Sequence, residues 1–232
     1  MRRFFALFSA LLFGGLAHGQ PANTLSEAEV QAGWQLLFDG ETTNGWRGIY
    51  QDDIPEGRWR VEDGTLMIVG EQDGGGAIIT EKLFGSFDLK LEFKMEEGAN
   101  SGIKYTVLER EPPTPGRGLG LEYQIWDDTQ PREANKTLAA LYDLIPAEEK
   151  TMRPLGTFNE ARIVVRGDSI AHWLNGVRVV AYDRGSEAFQ ARVAESKYRD
   201  IEGFGEAPEG HILLQDEGGH RVWFRNIKIR PL

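Results

Sequence analysis

Hydrophobic and polar side chains alternate with a period of two through much of this chain. The clearest example is the stretch 120–126, which reads Gly-Leu-Glu-Tyr-Gln-Ile-Trp. In an extended strand, such alternation places the apolar side chains on one face and the polar side chains on the other. The polar face is then expected to present Glu122, Gln124 and Trp126.

A second stretch, 100–105, alternates in the same way. Its sequence is Asn-Ser-Gly-Ile-Lys-Tyr, so Lys104 points away from the face shared by Ile103 and Tyr105. If the two stretches form adjoining strands, a carboxylate, an amide, an indole and an ammonium project into one concavity. This mixture suits a polyhydroxylated ligand better than it suits a plain sheet surface.

Shorter alternating runs predict further strands, at 34–38, 59–61, 66–69, 77–80, 87–95, 161–166, 169–174, 177–182, 211–215 and 221–230. The pair Asn175-Gly176 and the segment 62–65 (Glu-Asp-Gly-Thr) predict tight hairpins. Helical patterns are short, at 25–32 with Thr24 or Ser26 as the cap, and at 186–195.

About eleven or twelve short strands without alternating helices predict an all-β antiparallel sandwich or barrel. No internal repeat and no linker divides the chain, so residues 33–232 are expected to form a single domain. The segments 109–119 and 127–154 are long irregular excursions, which are usually functional or mobile in a compact domain.

The first nineteen residues have the pattern of a secretory signal peptide. Arg2 and Arg3 precede an apolar run at 4–16, and Ala-His-Gly at 17–19 resembles a small-x-small cleavage pattern. We therefore expect cleavage before Gln20, a polar segment over 20–32, and a periplasmic or secreted protein. An uncleaved anchor is the alternative, although the run is shorter than the roughly 20 residues that span a membrane.

The acidic composition excludes several classes of partner. The chain has 26 Lys and Arg against 36 Asp and Glu, and losing Arg2 and Arg3 would leave a net charge of about −12. Nucleic acids and anionic membranes both attract basic surfaces, so neither is an expected partner after signal cleavage. The absence of cysteine excludes thiol catalysis and thiolate metal sites. The oligomeric state stays open.

A series of short motifs runs in order along the chain. These are Leu-Leu-Phe-Asp-Gly at 36–40, Trp-Arg-Val-Glu-Asp-Gly-Thr-Leu at 59–66, Asn-Ser-Gly-Ile at 100–103, Leu-Glu-Tyr-Gln-Ile-Trp-Asp at 121–127, Ala-Ala-Leu-Tyr at 139–142, Phe-Asn-Glu-Ala-Arg at 158–162, His-Trp-Leu-Asn-Gly at 172–176, Leu-Gln-Asp at 214–216 and Phe-Arg-Asn-Ile at 224–227. The series resembles a family of exported bacterial domains associated with 3-keto-glycoside 1,2-lyase and 3-keto-2-hydroxy-glucal hydratase activity. Its members are also described as 3-keto-disaccharide hydrolases.

The resemblance implies a concanavalin-like jelly-roll sandwich of two antiparallel sheets. It also implies a small carbohydrate substrate, a 3-keto-glycoside, bound on the concave sheet. A ketone at C3 acidifies the C2 proton, so such an enzyme needs a base, a partner for the enediolate oxygen and an acid for the leaving group. Relatives commonly have Gln-Asp-His-Gly where this chain has Gln-Asp-Glu-Gly at 215–218. If that histidine acts in the chemistry, His220 has to substitute for it.

Four residues are candidates for catalysis. Glu122 is the first candidate for the base, with an ordinary solvated carboxylate as the alternative. Lys104 is a candidate to stabilise the enediolate, which is compatible with a salt bridge to Glu122. Because His172 alternates with Trp173, one of the two faces outward, although a lone strand histidine is more often structural. Asp216 ends a predicted strand and is a candidate acid–base group.

The candidate substrate contacts are Asn100, Gln124, Trp126, Tyr142, Asp127 and His220. Amides suit sugar hydroxyls because they both donate and accept hydrogen bonds. Asn100 has an alternative role in shaping the turn before Gly102. The aromatic rings of Trp126 and Tyr142 offer platforms for a pyranose, with core packing as the alternative for Trp126. For Asp127, capping of a turn is the leading alternative.

No cofactor is certain from the sequence, and a divalent metal ion is left open. The candidate ligands are Glu122, Asp216, Glu217 and His220. The alternative for the last three is a polar hairpin turn through Gly218-Gly219. A non-catalytic carbohydrate-binding module that uses the same concave face is the alternative function. A direct glycoside hydrolase is disfavoured because no strand carries a Glu-x-Asp-x-Glu-like array of acids.

Overall fold

Two antiparallel sheets pack face to face in the computed structural model, which describes residues 20–71, 75–112 and 118–232. The strands of this described part are β1 Gln35–Leu36, β2 Trp46–Gly48, β3 Trp59–Glu62, β4 Thr65–Ile68, β5 Ile78–Thr80, β6 Phe87–Met95, β7 Asn100–Leu108, β8 Leu119–Trp126, β9 Asn159–Arg166, β10 Ser169–Leu174, β11 Val177–Asp183, β12 His211–Leu214 and β13 Val222–Pro231. The helices are α1 Glu27–Gln31 and α2 Glu187–Glu195, with a 3-10 turn at Ala134–Lys136.

The larger sheet has eight strands in the order β11-β10-β9-β6-β13-β4-β3, with β1 also paired to β13. The smaller sheet has the order β2-β5-β12-β7-β8. Alternate side chains of β6, including Phe87 and Phe93, and of β8, including Tyr123, point into the space between the sheets and are fully buried there. The predicted all-β sandwich of two antiparallel sheets is therefore confirmed.

Both predicted tight hairpins are present, and both use residues in the left-handed region. Asp63 and Gly64 have φ values of 48° and 69°, and Asn175 and Gly176 have φ values of 51° and 83°. Two consecutive positive φ angles match the right-handed twist of the flanking strands, and Asn, Asp and Gly adopt them at the lowest cost. These turns fix the pairing of β3 with β4 and of β10 with β11.

The predicted helices are also present, each with a serine cap. Ser26, and not Thr24, caps α1, where its hydroxyl accepts from the Glu29 amide and the Glu29 carboxylate accepts from the Ser26 amide. This reciprocal pair of bonds satisfies two amides that a helix start leaves without partners. Ser186 caps α2, whose buried Phe189 and Val193 attach it to the core.

Three sequence expectations differ from the structure or fall outside it. The strand expected at 34–38 is reduced to β1, and β2 was not expected as a strand. The signal-peptide prediction for 1–19 lies outside the described residues, so export stays a prediction. None of the helices in the described ranges has the length and apolar character needed to cross a membrane.

Candidate active site

The two alternating stretches of the sequence lie side by side as strands β7 and β8. Their register places Lys104 opposite Glu122 and Asn100 opposite Trp126. The polar side chains of both strands point away from the core and form the floor of a cavity of about 400 Å³. The floor residues are Asn100, Lys104, Gly120, Glu122 and Gln124, and the walls include Arg132, Tyr142, Lys197, Tyr198, Gln215 and Glu217.

Glu122 is a buried carboxylate at the centre of this floor. Its side chain is 4% exposed, and its nearest cationic partner is the Lys104 ammonium, 3.6 Å from Oε2. The same ammonium donates a hydrogen bond of 3.0 Å to the carbonyl oxygen of Gly118. Burial raises the pKa of Glu122, and the positive charges of Lys104 and Lys197 offset part of that effect. A carboxylate with a raised pKa is a stronger base near neutral pH.

Gly102 on β7 leaves the space that the Glu122 carboxylate occupies. A Cβ atom built on Gly102 would overlap Oε1 of Glu122 and lie 2.9 Å from Oε1 of Gln215. The φ angle of Gly102 is not in the left-handed region, so the glycine is required by this close approach and not by backbone conformation. A side chain at this position would displace the carboxylate.

Two amides extend the polar floor beside the carboxylate. The Gln124 amide donates to Oδ1 of Asn100 at 2.8 Å and to its neighbour's carbonyl, that of Ile125, at 3.1 Å. Gln124 is 1% exposed, so its side chain is fixed by these bonds, whereas Asn100 is only partly buried. Asn100 therefore remains available to contact a ligand in the cavity.

The irregular segment that follows β8 folds back along it and forms one wall. The amide of Tyr142 donates to the carbonyl of Glu122 at 3.0 Å, and the amide of Gln124 donates to the carbonyl of Ala140 at 3.1 Å. These bonds satisfy the free edge of β8, which would otherwise expose unpaired backbone groups. They also place the Tyr142 ring beside the cavity, as the sequence predicted for a ligand-facing aromatic.

Arg132, which the sequence analysis did not select, lies between the two predicted aromatic platforms. Its guanidinium carbon is 4.0 Å from the ring centre of Trp126 and 5.5 Å from that of Tyr142. Trp126 thus faces the predicted side of β8 and contacts Arg132, which itself lines the cavity. Stacking against both rings holds the guanidinium in place.

Lys197 and Tyr198 form another part of the wall that the sequence analysis missed. They follow α2, and Tyr198 stacks on Phe204 with a ring separation of 3.9 Å. The Lys197 ammonium lies 4.3 Å from the ring centre of Tyr142. No local pattern marks these residues, because packing between distant segments brings them to the sheet.

His172 lies outside the cavity, so the expected catalytic role does not fit its position. It is fully buried between the sheets, whereas its neighbour Trp173 is the residue that faces outward. Its Nδ1 donates to the carbonyl of Ala139 at 3.1 Å, and its Nε2 accepts from the Tyr105 hydroxyl at 2.7 Å. Burial lowers the pKa of His172 to about 4, so the ring is neutral at neutral pH and serves the core.

Asp127 is buried and caps a turn, which corrects the expectation of a substrate contact. Its two oxygens accept from the amide of Gly98 at 2.8 Å, and from the amide and hydroxyl of Thr129 at 3.0 and 2.8 Å. His220 also lies away from the cavity, against Gly98, and is exposed. It therefore does not substitute for a histidine at the site.

Asp216 points away from the cavity, although its neighbours Gln215 and Glu217 line it. Its carboxylate is 2.8 Å from the Arg58 guanidinium and accepts from the amide of Gly218 at 2.8 Å. The bond from Gly218 shapes the turn after β12, and the ion pair ties this turn to the segment before β3. The geometry therefore supports a structural role instead of the expected acid–base role.

The four candidate metal ligands are not gathered into one set. Glu122 and Glu217 line the cavity, whereas Asp216 and His220 lie outside it. Across the described ranges, no group of three or more His, Asp or Glu side chains is arranged to hold a metal ion.

Comparison with known proteins places this geometry in context. Residues 33–230 match the model of a family described as the 3-keto-alpha-glucoside-1,2-lyase-like domain. A curated relative, a 3-keto-disaccharide hydrolase from Bacteroides thetaiotaomicron, is 34% identical over 230 residues, covering 86% of this chain and 79% of the relative.

Solved structures agree with the sequence comparison. A crystallised protein from Parabacteroides distasonis, assigned as a glycosyl hydrolase, superposes with a TM-score of 0.84 at 28% identity, covering 91% of this chain and all of that one. A Bacillus subtilis protein with a galectin-like fold superposes with a TM-score of 0.52 at 11% identity, covering 90% and 94%. The second match concerns the fold alone, and together they confirm the predicted jelly-roll sandwich.

Proposed function

Because this chain belongs to the 3-keto-α-glucoside-1,2-lyase-like family of carbohydrate-active proteins, we propose that it cleaves 3-keto-glycosides by removing the C2 proton and eliminating the group at C1. Addition of water to the resulting enone completes a net hydrolysis. The observation that carries this proposal is the buried Glu122 carboxylate, which faces the cavity with the Lys104 ammonium 3.6 Å away.

The arrangement supports elimination because it offers one base and several positive charges. Glu122 takes the C2 proton, and its raised pKa makes it a stronger base than an exposed glutamate. The charge that develops on the C3 oxygen lies in a cavity whose described lining includes the cations Lys104, Arg132 and Lys197. Cations in a partly dry cavity stabilise such an oxyanion more strongly than water does.

A glycosidase that acts on unoxidised sugars needs two carboxylates across the scissile bond. Among the described residues, two acids line the cavity: Glu122 is buried, whereas Glu217 is exposed and accepts a hydrogen bond from the Gln215 amide. The described lining therefore offers no second buried carboxylate opposite Glu122. The site favours ketone-activated substrates.

The test compares a 3-keto-glucoside that carries a chromogenic leaving group with its unoxidised parent. We expect release from the ketone alone. Release from the parent at a similar rate would contradict the proposal, and so would binding without release, which is the behaviour of a carbohydrate-binding module. Repeating the assay with a chelator tests whether a divalent ion contributes.

We also propose that the protein is exported, on the basis of the basic, apolar and small-residue pattern over 1–19. Expression of the full chain with a C-terminal tag and sequencing of the recovered N-terminus tests this. A mature protein that begins at Gln20 is expected, and a cytoplasmic protein that retains Met1 would contradict it.

A further inference from the structure

Among the residues that the structure describes, three cations line the cavity, Lys104, Arg132 and Lys197, and they are not equally available to a substrate. The Lys104 ammonium already donates to the carbonyl of Gly118 at 3.0 Å and lies 3.6 Å from Glu122. Its side chain is only 12% exposed. Lys104 is therefore placed to hold the Glu122 carboxylate in position, and only part of its hydrogen-bonding capacity is left for a ligand.

Arg132 is held in a different way and at the edge of the site. Its guanidinium packs on Trp126 at 4.0 Å, and its nitrogens lie 3.5 Å from Oδ1 of Asn100 and 3.5 Å from the Tyr142 hydroxyl. These contacts place it beyond Asn100, which pairs with Trp126 at the far end of the two floor strands. Glu122 pairs with Lys104, four residues further along β7, so Arg132 is not the cation beside the base.

Lys197 lines the same cavity as Glu122, and its positive charge acts on the Glu122 carboxylate. Its ammonium lies over two aromatic rings, 4.3 Å from the centre of Tyr142 and 5.0 Å from that of Tyr198. Within the part of the chain that the structure describes, neither a hydrogen-bond acceptor nor a carboxylate contacts this ammonium at bonding distance. A cation held by ring faces keeps its N–H groups available.

The backbone of Lys197 is fixed, so the position of the ammonium is not that of a random surface lysine. Its amide donates to Oδ2 of Asp143 at 2.9 Å, and the preceding Ser196 is buried. The following Tyr198 is stacked on Phe204. The side chain thus extends from an anchored segment, across the Tyr142 ring, towards the cavity floor.

We propose that Lys197 is a further catalytic residue, whose ammonium stabilises the enediolate oxygen at C3 while Lys104 positions the base. This inference rests on the proposed function. As Glu122 takes the C2 proton, the C–H electron pair forms the C2–C3 double bond and the carbonyl pair moves to the C3 oxygen, beside Lys197. The electron pair on the C3 oxygen then re-forms the carbonyl, the C2–C3 pair becomes the C1–C2 double bond, and the C1–O bond breaks with its electrons on the alcohol oxygen, which takes up a proton from water.

The charges around Lys197 support a role at the pH at which the base is ionised. The charged groups that face it are Glu122 and Lys104 from the floor strands, Asp143 from the adjacent wall and Glu217 from the turn after β12. Partial burial lowers the pKa of Lys197, and the three carboxylates oppose that effect. An ammonium with a lowered pKa donates a stronger hydrogen bond to an oxyanion.

The experiment separates enolisation from cleavage. A 3-keto-1,5-anhydro sugar has an acidic C2 proton and no aglycone at C1, so NMR in D₂O follows exchange of the C2 proton without cleavage, resolved from exchange of the C4 proton. We expect Lys197→Met to slow exchange on this compound and cleavage of the chromogenic 3-keto-glucoside by the same factor, about 100- to 1,000-fold. Arg199→Met is the matched control, because Arg199 is 64% exposed and pairs only with Asp200. The Arg199→Met variant should exchange and cleave at the wild-type rates.

The outcomes distinguish this inference from the proposed function. Unchanged exchange in Lys197→Met, with active wild-type protein, would overturn the role of Lys197 and leave the proposed function intact. Slower cleavage with normal exchange would likewise overturn it, because Lys197 would then serve the leaving group. If the wild-type protein catalyses neither exchange nor cleavage, the proposed function itself is refuted. Lys197→Arg, which keeps the charge, should recover part of the exchange rate, and equal thermal midpoints show that both variants fold.

Discussion

Two buried carboxylates on strands of this molecule, Asp88 and Glu122, have opposite surroundings. Asp88, on the outer face of the eight-stranded sheet, is 1% exposed and receives Arg162 at 2.7 Å and Arg230 at 3.1 Å. Glu122, on the outer face of the five-stranded sheet, is 4% exposed, and its one ion pair among the described residues is with Lys104 at 3.6 Å. The first carboxylate is fully paired, and the second is not.

Under the proposed function, the same side-chain chemistry serves structure in one sheet and catalysis in the other. Both oxygens of Asp88 accept hydrogen bonds from guanidinium groups, which compensate the cost of burial. The oxygens of Glu122 face a cavity of about 400 Å³ instead. A buried charge whose environment leaves it incompletely stabilised is available to take up a proton from a substrate.

The largest expected effect comes from removing the charge at Glu122. Glu122→Gln keeps the size and polarity of the side chain, so the fold should persist while the base is lost. We expect the rate of cleavage of a 3-keto-glucoside to fall about 1,000- to 10,000-fold, at the upper end of what a general base contributes. Steady-state kinetics check this, and normal turnover by the variant would refute the assignment of the base.

The same change at the other carboxylate should have the opposite consequence. Asp88→Asn leaves Arg162 and Arg230 without their anionic partner, and we expect it to lower the free energy of unfolding by about 2–4 kcal/mol. Cleavage per folded molecule should be unchanged. Urea denaturation followed by tryptophan fluorescence measures the first quantity. A variant as stable as the wild type would show that Asp88 does not anchor the outer face.

A smaller effect is expected from filling the space that the Glu122 carboxylate occupies. Gly102→Ala places a methyl group where Oε1 of Glu122 lies. The displaced base should lower kcat about 10- to 100-fold, because a shift of about 1 Å costs that much in positioning. Gly85→Ala is the matched control, since a Cβ there meets only ordinary contacts of 3.4 Å or more. Equal losses in both variants would argue against a specific effect on Glu122.

The smallest effect is a pH dependence of stability that arises from Glu122. Burial raises the pKa of Glu122 above its ordinary value of 4.5. The folded protein therefore keeps the Glu122 proton to a higher pH than the unfolded chain does. As a result, the free energy of unfolding falls as pH rises from 4.5 through the folded-state pKa of Glu122. Glu122→Gln should become progressively more stable than the wild type from pH 4.5 towards pH 7. Parallel stability curves for the two proteins would contradict a raised pKa.

The sequence identified the floor of the site because strands obey a simple rule. Alternation over β8 put Glu122 and Gln124 on the face opposite Tyr123, and the structure confirms both positions. The hairpins at Asp63 and Asn175 were predicted for the same kind of local reason, since a tight turn requires residues that tolerate positive φ.

No local pattern of this kind predicts the walls of the cavity, because segments that are distant in the sequence form them. Arg132 and Lys197 come from irregular segments whose placement depends on bonds such as that between the amide of Lys197 and Asp143. Alternation also leaves one ambiguity. The pattern predicts that His172 and Trp173 face opposite sides of the strand, but it does not predict which of the two is buried. In the structure, His172 is the buried residue. Asp216 was misassigned for a related reason, because the turn after β12 directs it to Arg58.

The central claim is that Glu122 removes the C2 proton of a 3-keto sugar. The most direct test is C2 proton exchange in D₂O on a 3-keto-1,5-anhydro sugar, with wild-type protein, Glu122→Gln and Asp88→Asn compared at equal concentrations of folded protein. We expect catalysed exchange by the wild type and by Asp88→Asn, and exchange at the uncatalysed rate with Glu122→Gln. Exchange by Glu122→Gln at the wild-type rate would contradict it.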